Sequence, residues 1–268
     1  MTSKFMQERL DFFIIGAQKA GTTALSQYLG KCTRVQVSKQ KEIHFFDDET
    51  NVNWDCPDYG RLHKHFDWNT SAVVRGEATP IYMFWPNAIT RLHRYNPQSK
   101  LIIGLRHPVF RAHSQWLMNV SRGHEQLTFA DATGPCGRHR LQNDNLKSLR
   151  LYSYIERGFY GLQISRVLSL FPKSQVLIYR VDHLWKQPSA CLNRIYKFLN
   201  VSVGDDEHDD LGYISPYKHK FFSVMQNHEQ QVLKDLFRDE IMLASSHAGI
   251  DLEDWLYDDY QEPMIRSV

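Results

Sequence analysis

The chain has 268 residues, 42% of them hydrophobic and 23% charged, with 14 glycines and 10 prolines. These proportions belong to an ordinary globular protein and exclude collagen, coiled coil and long disorder. Its 32 basic and 30 acidic residues leave a net charge of +2, without the global basic field that nucleic-acid binders carry.

No run of about 18 apolar residues is present to cross a membrane, and the opening segment Met1 to Phe13 does not read as a signal peptide. The cysteines Cys32, Cys56, Cys136 and Cys191 are scattered and form no CxxC pair. The expectation is a reduced, cytoplasmic protein with no membrane or nucleic-acid partner. Its oligomeric state is left open.

In chain order, Phe12-Phe13-Ile14-Ile15 is a short apolar run closed by Gly16, a buried strand. A helix follows from Thr22 to Leu29. Val73-Val74 lies in a second strand that ends near Glu77, and a helix runs from Asn87 to Tyr95, stopped at Asn96-Pro97. Leu101 to Leu105 is the clearest strand, and Pro108 opens a helix from Val109 to about Arg122. Helices at Tyr160–Phe171, Pro188–Leu199 and Asn227–Leu243 flank a fourth strand at Val176–Tyr179.

Strands alternating with helices imply an α/β fold, a mostly parallel central sheet flanked by helices, in a single domain spanning 1–268. Ligands of such sheets lie beyond the carboxyl ends of the strands: after Ile15, Glu77 and Leu105. The polar stretch 131–148 lacks periodicity and is expected to be a mobile loop, and Gly204–Asp210 a short acidic one.

Gly16-Ala17-Gln18-Lys19-Ala20-Gly21-Thr22-Thr23 joins the first strand to the first helix. Backbone N–H groups at such a junction make an anion site. The glycine spacing is that of a P-loop, but Thr22 and Thr23 stand where a Walker A motif needs Lys then Ser/Thr. The lysine sits inside the loop instead. That placement suits a phosphate chain shorter than a nucleoside triphosphate's, with Lys19 at its reacting end.

The segment from Gly16 to Leu25 resembles the 5′-phosphosulfate loop of sulfotransferases that use PAPS (3′-phosphoadenosine 5′-phosphosulfate), above all the heparan-sulfate-type branch and its bacterial relatives. Lys41-Glu42-Ile43-His44-Phe45-Phe46 is similar to that family's Lys-Glu-x-x-Phe-Phe segment. Glu77-Ala78-Thr79-Pro80-Ile81-Tyr82 is similar to its Glu-x-(Thr/Ser)-Pro-x-Tyr segment. Arg106-His107-Pro108-Val109-Phe110-Arg111-Ala112-His113-Ser114 is similar to its 3′-phosphate element. Weaker likeness continues through Gly158-Phe159-Tyr160 to Pro188 and Asp251–Trp255, so the resemblance covers nearly the whole chain.

The resemblance implies a sulfotransferase with PAPS as donor. It places the donor on Gln18, Lys19, Ala20, Gly21, Thr22, Thr23 and Ala24, with Arg106 and Ser114 on the 3′-phosphate and Tyr160 and Lys218 as further contacts. By itself Arg106 reads as a surface ion-pair residue, and Arg111 as a helix cap or a solvated side chain. Lys19 is the expected stabiliser of the leaving 5′-phosphate. Glu42 is the candidate general base, with a pKa raised toward neutrality. His44 is the rival base, since imidazole titrates near neutral pH. Glu77 is expected to orient Lys19 or Glu42, or to form a structural ion pair. Some glycan sulfotransferases carry a second catalytic lysine where Ala78 stands, and the family's late Lys-Gly-Arg signature is missing around Lys218 and Lys220.

No metal is expected: His63-x-His65 and the pair His107 and His113 lack the ligand spacing of zinc sites and read as surface or packed histidines. Trp54, Tyr82, Phe84 and Trp85 are candidate walls of an acceptor pocket, with core packing an equal reading. The small net charge and Ala78 favour a small hydroxylated acceptor, a secondary metabolite, over a polyanionic glycan. Arg138, His139, Arg140, Lys147 and Arg150 still allow a local basic gate. Readings of other classes are a P-loop kinase using ATP and Mg²⁺ and a non-catalytic nucleotide-binding protein.

Overall fold

The computed structural model describes residues 8–142, 146–202, 225 and 227–263. Its strands are β1 (Phe12–Gly16), β2 (Val35–Val37), β3 (Val74–Ala78), β4 (Lys100–Leu105) and β5 (Val176–Arg180). Its helices are α1 (Thr22–Lys31), α2 (Gly60–His63), α3 (Ala88–Tyr95), α4 (Pro108–Ser121), α5 (Phe129–Thr133), α6 (Pro135–Arg138), α7 (Leu146–Tyr152), α8 (Tyr160–Leu168), α9 (Val181–Lys186), α10 (Pro188–Leu199) and α11 (Asn227–Ala248).

The strands form one all-parallel sheet in the order β2-β3-β1-β4-β5. Register pairs Phe13 with Glu77 on one side of β1 and with Leu101 on the other. Every residue of β1 and β5 is buried, as parallel strands covered on both faces require. On one face Phe12, Ile14, Ile102 and Tyr179 pack with Leu25 and Leu29 of α1 and Leu192 and Ile195 of α10. On the other, Phe13 meets the rings of Phe46 and Tyr95 edge-on.

The chain divides into two compact units. One comprises Met1–Ala17, Gly21–Leu105 and Arg166–Ile214 and carries the sheet; the other comprises Gln18–Ala20, Arg106–Ser165 and Ser215–Val268. The second unit is helical, with α4 packed against α11 and α5. There Gly158 permits close packing: a Cβ on it would lie 2.5 Å from the Phe237 ring.

Two expectations from the sequence change. The sheet has a fifth strand, the three-residue β2 at its edge. The stretch 131–148, expected to be an irregular loop, holds α6 and the ends of α5 and α7 in its described residues. Gly204–Asp210, Lys218 and Lys220 lie outside the described residues.

Candidate active site

The loop after β1 reaches α1 through Gly21, whose φ of 71° is left-handed and suits glycine. A Cβ there would also stand 2.8 Å from the Val181 side chain. Gly21→Ala is therefore expected to destabilise the fold by about 1–2 kcal/mol, read as a lowered urea midpoint with an unchanged slope. No side chain caps the N-terminus of α1. The first N–H groups of the helix, at Thr22, Thr23 and Ala24, are thus left by helical geometry for an outside acceptor. Thr22 is buried, Ala24 half-buried and Thr23 exposed.

The loop tip, Gln18 to Ala20, belongs to the helical unit. The Lys19 carbonyl accepts Nη1 of Arg106 at 3.0 Å, and the Lys19 ammonium reaches Met118 Sδ at 3.8 Å. Gln18 Oε1 accepts from Arg157, a buried side chain that also donates to Ser153 Oγ at 2.8 Å and the Arg150 carbonyl at 2.6 Å. Guanidinium nitrogens only donate, so this contact fixes the Gln18 amide with its NH₂ turned away from Arg157. Arg157 escaped the sequence reading, although it directly precedes Gly158-Phe159-Tyr160.

Arg106 carries an unanticipated partner. Its Nε and Nη2 donate to the two carboxylate oxygens of Glu262 at 2.6 and 2.5 Å. Burial would lower the Arg106 pKa, but the Glu262 charge outweighs it and holds it above the ordinary arginine value. Tyr160, expected on the cofactor, is fully buried and donates its hydroxyl to the Arg106 carbonyl at 2.8 Å, so it fixes the arginine's backbone. Ser114 lies half-buried in α4. Arg111 neither caps nor solvates its helix: it is fully buried and donates to Gln115 Oε1 at 2.8 Å and to the Tyr154 carbonyl. Burial lowers it to about 10.

In the sheet unit, Glu42, His44 and Asp47 form a chain. His44 Nε2 lies 3.5 Å from Glu42 Oε2, and its Nδ1 lies 2.9 Å from Asp47 Oδ2. Lys41 Nζ meets Glu42 Oε1 at 2.8 Å. Burial would raise Glu42, yet its bonds to His44 and Lys41 and their charges hold it down at about 2. Burial would lower His44, yet Asp47 and Glu42 raise it to about 9. The raised glutamate pKa expected from the sequence is therefore corrected: the pair rests as carboxylate and imidazolium. Asp47, fully buried beneath the imidazole, was missed; in sequence it reads only as part of an acidic run.

These shifts couple stability to pH. Between the ordinary histidine value of 6.5 and about 9, folded His44 holds a proton that the unfolded chain has released. Its contribution is full below 6.5 and is lost as pH rises through about 9. The Glu42 contribution is full above 4.5 and lost as pH falls toward about 2. The melting temperature should fall from pH 7 to 9, and His44→Ala should flatten that fall.

Glu77 acts on this chain through the backbone. It is fully buried and accepts the Thr79 hydroxyl at 2.7 Å and the Tyr82 hydroxyl. Thr79 Oγ1 accepts the His44 N–H at 3.5 Å, and Tyr82 Oη accepts that of Phe45 at 3.0 Å. Burial pushes the Glu77 carboxyl up to about 7. Expected to orient Lys19 or Glu42 or to form an ion pair, Glu77 instead bonds two hydroxyls that accept the backbone N–H groups of His44 and Phe45.

Two of the four aromatic candidates are core side chains. Tyr82 and Trp85 are fully buried, with Trp85 Nε1 donating to Glu49 at 2.7 Å. Trp54 donates to the Asp48 carbonyl and lies 4.0 Å beneath the Arg91 guanidinium. Phe84 is half-buried. His63 bonds the Tyr95 hydroxyl, and His113 packs on Trp116 and Phe129, as packed histidines do. Among the described residues, no group of three or more His, Cys, Asp or Glu side chains gathers as a metal site would require.

One backbone feature marks three of the four sequence-derived catalytic residues, Glu77 being the exception. Among the described residues, four non-glycines have positive φ: Lys19 (69°), Glu42 (54°), His44 (56°) and Asn200 (62°). Asn200 is the C-cap of α10, where asparagine commonly takes this conformation. The other three each hold strain of order 1–3 kcal/mol, which folds retain at functional sites.

A parallel α/β sheet with an anion-ready loop after its first strand defines a class of phosphate-gripping proteins. Within that class, the chain belongs to the sulfotransferase family: residues 9–247 match its sulfotransferase-domain model. It is similar to heparan sulfate glucosamine 3-O-sulfotransferase 6 of Homo sapiens, at 28% identity over 73% of this chain and 54% of that protein. It is also similar to the membrane-associated sulfotransferase kil1 of Dictyostelium discoideum, at 36% identity over 77% of this chain and 58% of that protein. The chain thus spans little more than half the length of these relatives. A sulfotransferase from Alicyclobacillus acidocaldarius shares the fold, with a TM-score of 0.74 at 24% identity, covering 92% of this chain and 99% of that one. No helix among the described residues is long and apolar enough to cross a membrane.

Proposed function

We propose that residues 1–268 act as one sulfotransferase domain that moves the sulfonate of PAPS to a hydroxyl of a small acceptor, a secondary metabolite. The observation that carries this reading is the left-handed backbone at Lys19, Glu42 and His44, the residues the sequence motifs single out. A second observation supports the donor site: the Arg106 fork already holds an anion, the Glu262 carboxylate, in the planar two-bond geometry by which arginine grips phosphate.

The donor supplies the sulfonate and a phosphate leaving group. Lys19 and the N–H groups at the start of α1 hold the 5′ end. Arg106 and Ser114 hold the 3′-phosphate. Glu42, ionised at neutral pH, takes the acceptor's proton as the new O–S bond forms and the S–O bond to phosphate breaks. His44, as imidazolium on Asp47, fixes the Glu42 carboxylate. This division asks the protein for positioning and fixed charge rather than covalent chemistry.

For the acceptor, the basic stretch before α7 weighs against a polyanion. Arg138 pairs with Glu156 and Arg140 with Glu125, each at 2.9 Å, so much of its charge is met within the chain. The second reading, a glycan acceptor, is favoured by the likeness to heparan sulfate enzymes. The four cysteines form no disulfide, which suits the reducing cytoplasm as the setting. A transfer assay with sulfur-labelled PAPS against small hydroxylated metabolites and heparan-type glycans tests this. Label is expected on small acceptors; label on glycans alone would establish the second reading instead.

A further inference from the structure

The arginine assigned to the donor's 3′-phosphate is filled by the chain's own C-terminal segment. Both Glu262 oxygens bond Arg106, and the two side chains are only 17% and 16% exposed, so this is no loose surface pair. The third nitrogen of the fork, Nη1, is committed to the Lys19 carbonyl. An incoming phosphate therefore meets the two nitrogens that Glu262 holds.

The segment leading to Glu262 is firmly attached. Trp255 is buried, and its carbonyl lies 3.0 Å from His107 Nε2. Burial lowers His107 to about 4, so the ring is neutral at pH 7. Its Nδ1 accepts the Val109 N–H, which places the remaining proton on Nε2 as donor to Trp255. Tyr260 stacks on the same imidazole at 5.0 Å and 18°. Lys234 donates to the Tyr257 carbonyl at 3.3 Å and to the Asp258 carboxylate. Glu262 thus stands two residues beyond an aromatic anchor that rests on His107, the neighbour of Arg106. The anchor raises the local concentration of the carboxylate at the fork.

We propose that Glu262 is a built-in competitor for the 3′-phosphate site. Its carboxylate closes the Arg106 fork when no nucleotide is bound, and the 3′-phosphate must displace it, with Gln261–Pro263 moving while Tyr260 stays on His107. This inference rests on the assignment of Arg106 to the 3′-phosphate. A phosphate dianion outbids a carboxylate monoanion for one guanidinium, so the contact weakens nucleotide binding without preventing it. Donor and desulfated product carry the same 3′-phosphate and are weakened alike. A nucleotide without that phosphate leaves Glu262 in place and is unaffected.

Calorimetric titration of the full chain with PAP (3′-phosphoadenosine 5′-phosphate) and with 5′-AMP tests this in wild type, Glu262→Gln, Arg106→Lys and Arg106→Met, each checked for an intact thermal transition. Glu262→Gln should bind PAP about tenfold tighter, a gain of about 1.4 kcal/mol, with 5′-AMP unchanged. Both Arg106 variants should lose PAP affinity. Unchanged or weaker PAP binding in Glu262→Gln, with PAP still dependent on Arg106, overturns the competitor and leaves the site assignment standing. Equal tightening of PAP and 5′-AMP overturns it too, because the effect would not lie at the 3′-phosphate. PAP binding indifferent to Arg106 removes the site assignment itself, and the competitor with it.

Discussion

Lys19→Ala should lower turnover by about 10²–10³-fold, the range seen when one preorganised group facing developing charge is removed, while the protein stays folded. Lys19 sits at the loop tip with a left-handed backbone that alanine would share, so the substitution adds no new backbone strain. Its side chain is half-buried, with Met118 Sδ 3.8 Å from the ammonium. Thioether sulfur is only a weak acceptor. The charge on the phosphate bridge grows as the S–O bond breaks, so kcat should fall more than donor affinity. Single-turnover transfer and PAP titration on the same preparation separate the two. Loss of PAP binding with an unchanged rate at saturation would reduce Lys19 to a simple tether.

Glu42→Gln should cost about 10²–10⁴-fold in turnover, the usual contribution of a general base. The amide keeps an oxygen for His44 but takes no proton. The pH profile separates Glu42 from its rival. With Glu42 held at about 2, it is ionised throughout the neutral range, and kcat/KM should be flat from pH 6 to 8. With His44 raised to about 9, a histidine base would be mostly protonated there, and the rate would climb about tenfold per pH unit toward 9. A steep climb, with Glu42→Gln active and His44→Ala dead, would move the base to His44.

Much of the fold was legible because buried parallel strands write themselves as apolar runs. β1, β4 and β5 read this way, and β3 was reached through Val73-Val74. β2 was missed because Val35-Gln36-Val37 is three residues long and half-polar at a sheet edge. The helices within 131–148 were missed because helices of four to seven residues complete too few turns to display a period.

The site was legible as residue types but not as contacts. The motifs supplied Lys19, Glu42, His44 and Arg106. Nothing in them tells that Arg157 reaches Gln18 across 139 positions or that Glu262 reaches Arg106 across 156. The protonation states of Glu42 and His44 follow from Asp47 and Lys41 beside them, a geometry the sequence does not fix. Tyr82 and Trp85 read equally as pocket or core from sequence; burial makes them core.

The central claim, that the loop and Arg106 take a nucleotide with a 3′-phosphate and a single 5′-phosphate, is tested most directly by thermal shift with PAP against ATP and Mg²⁺. At a hundredfold excess over its dissociation constant PAP should add about 2.7 kcal/mol, raising the melting temperature by roughly 5–10 °C. ATP with Mg²⁺ at the same concentration should do far less. Stabilisation by ATP and Mg²⁺ with none by PAP would contradict the account and return the loop to the kinase reading.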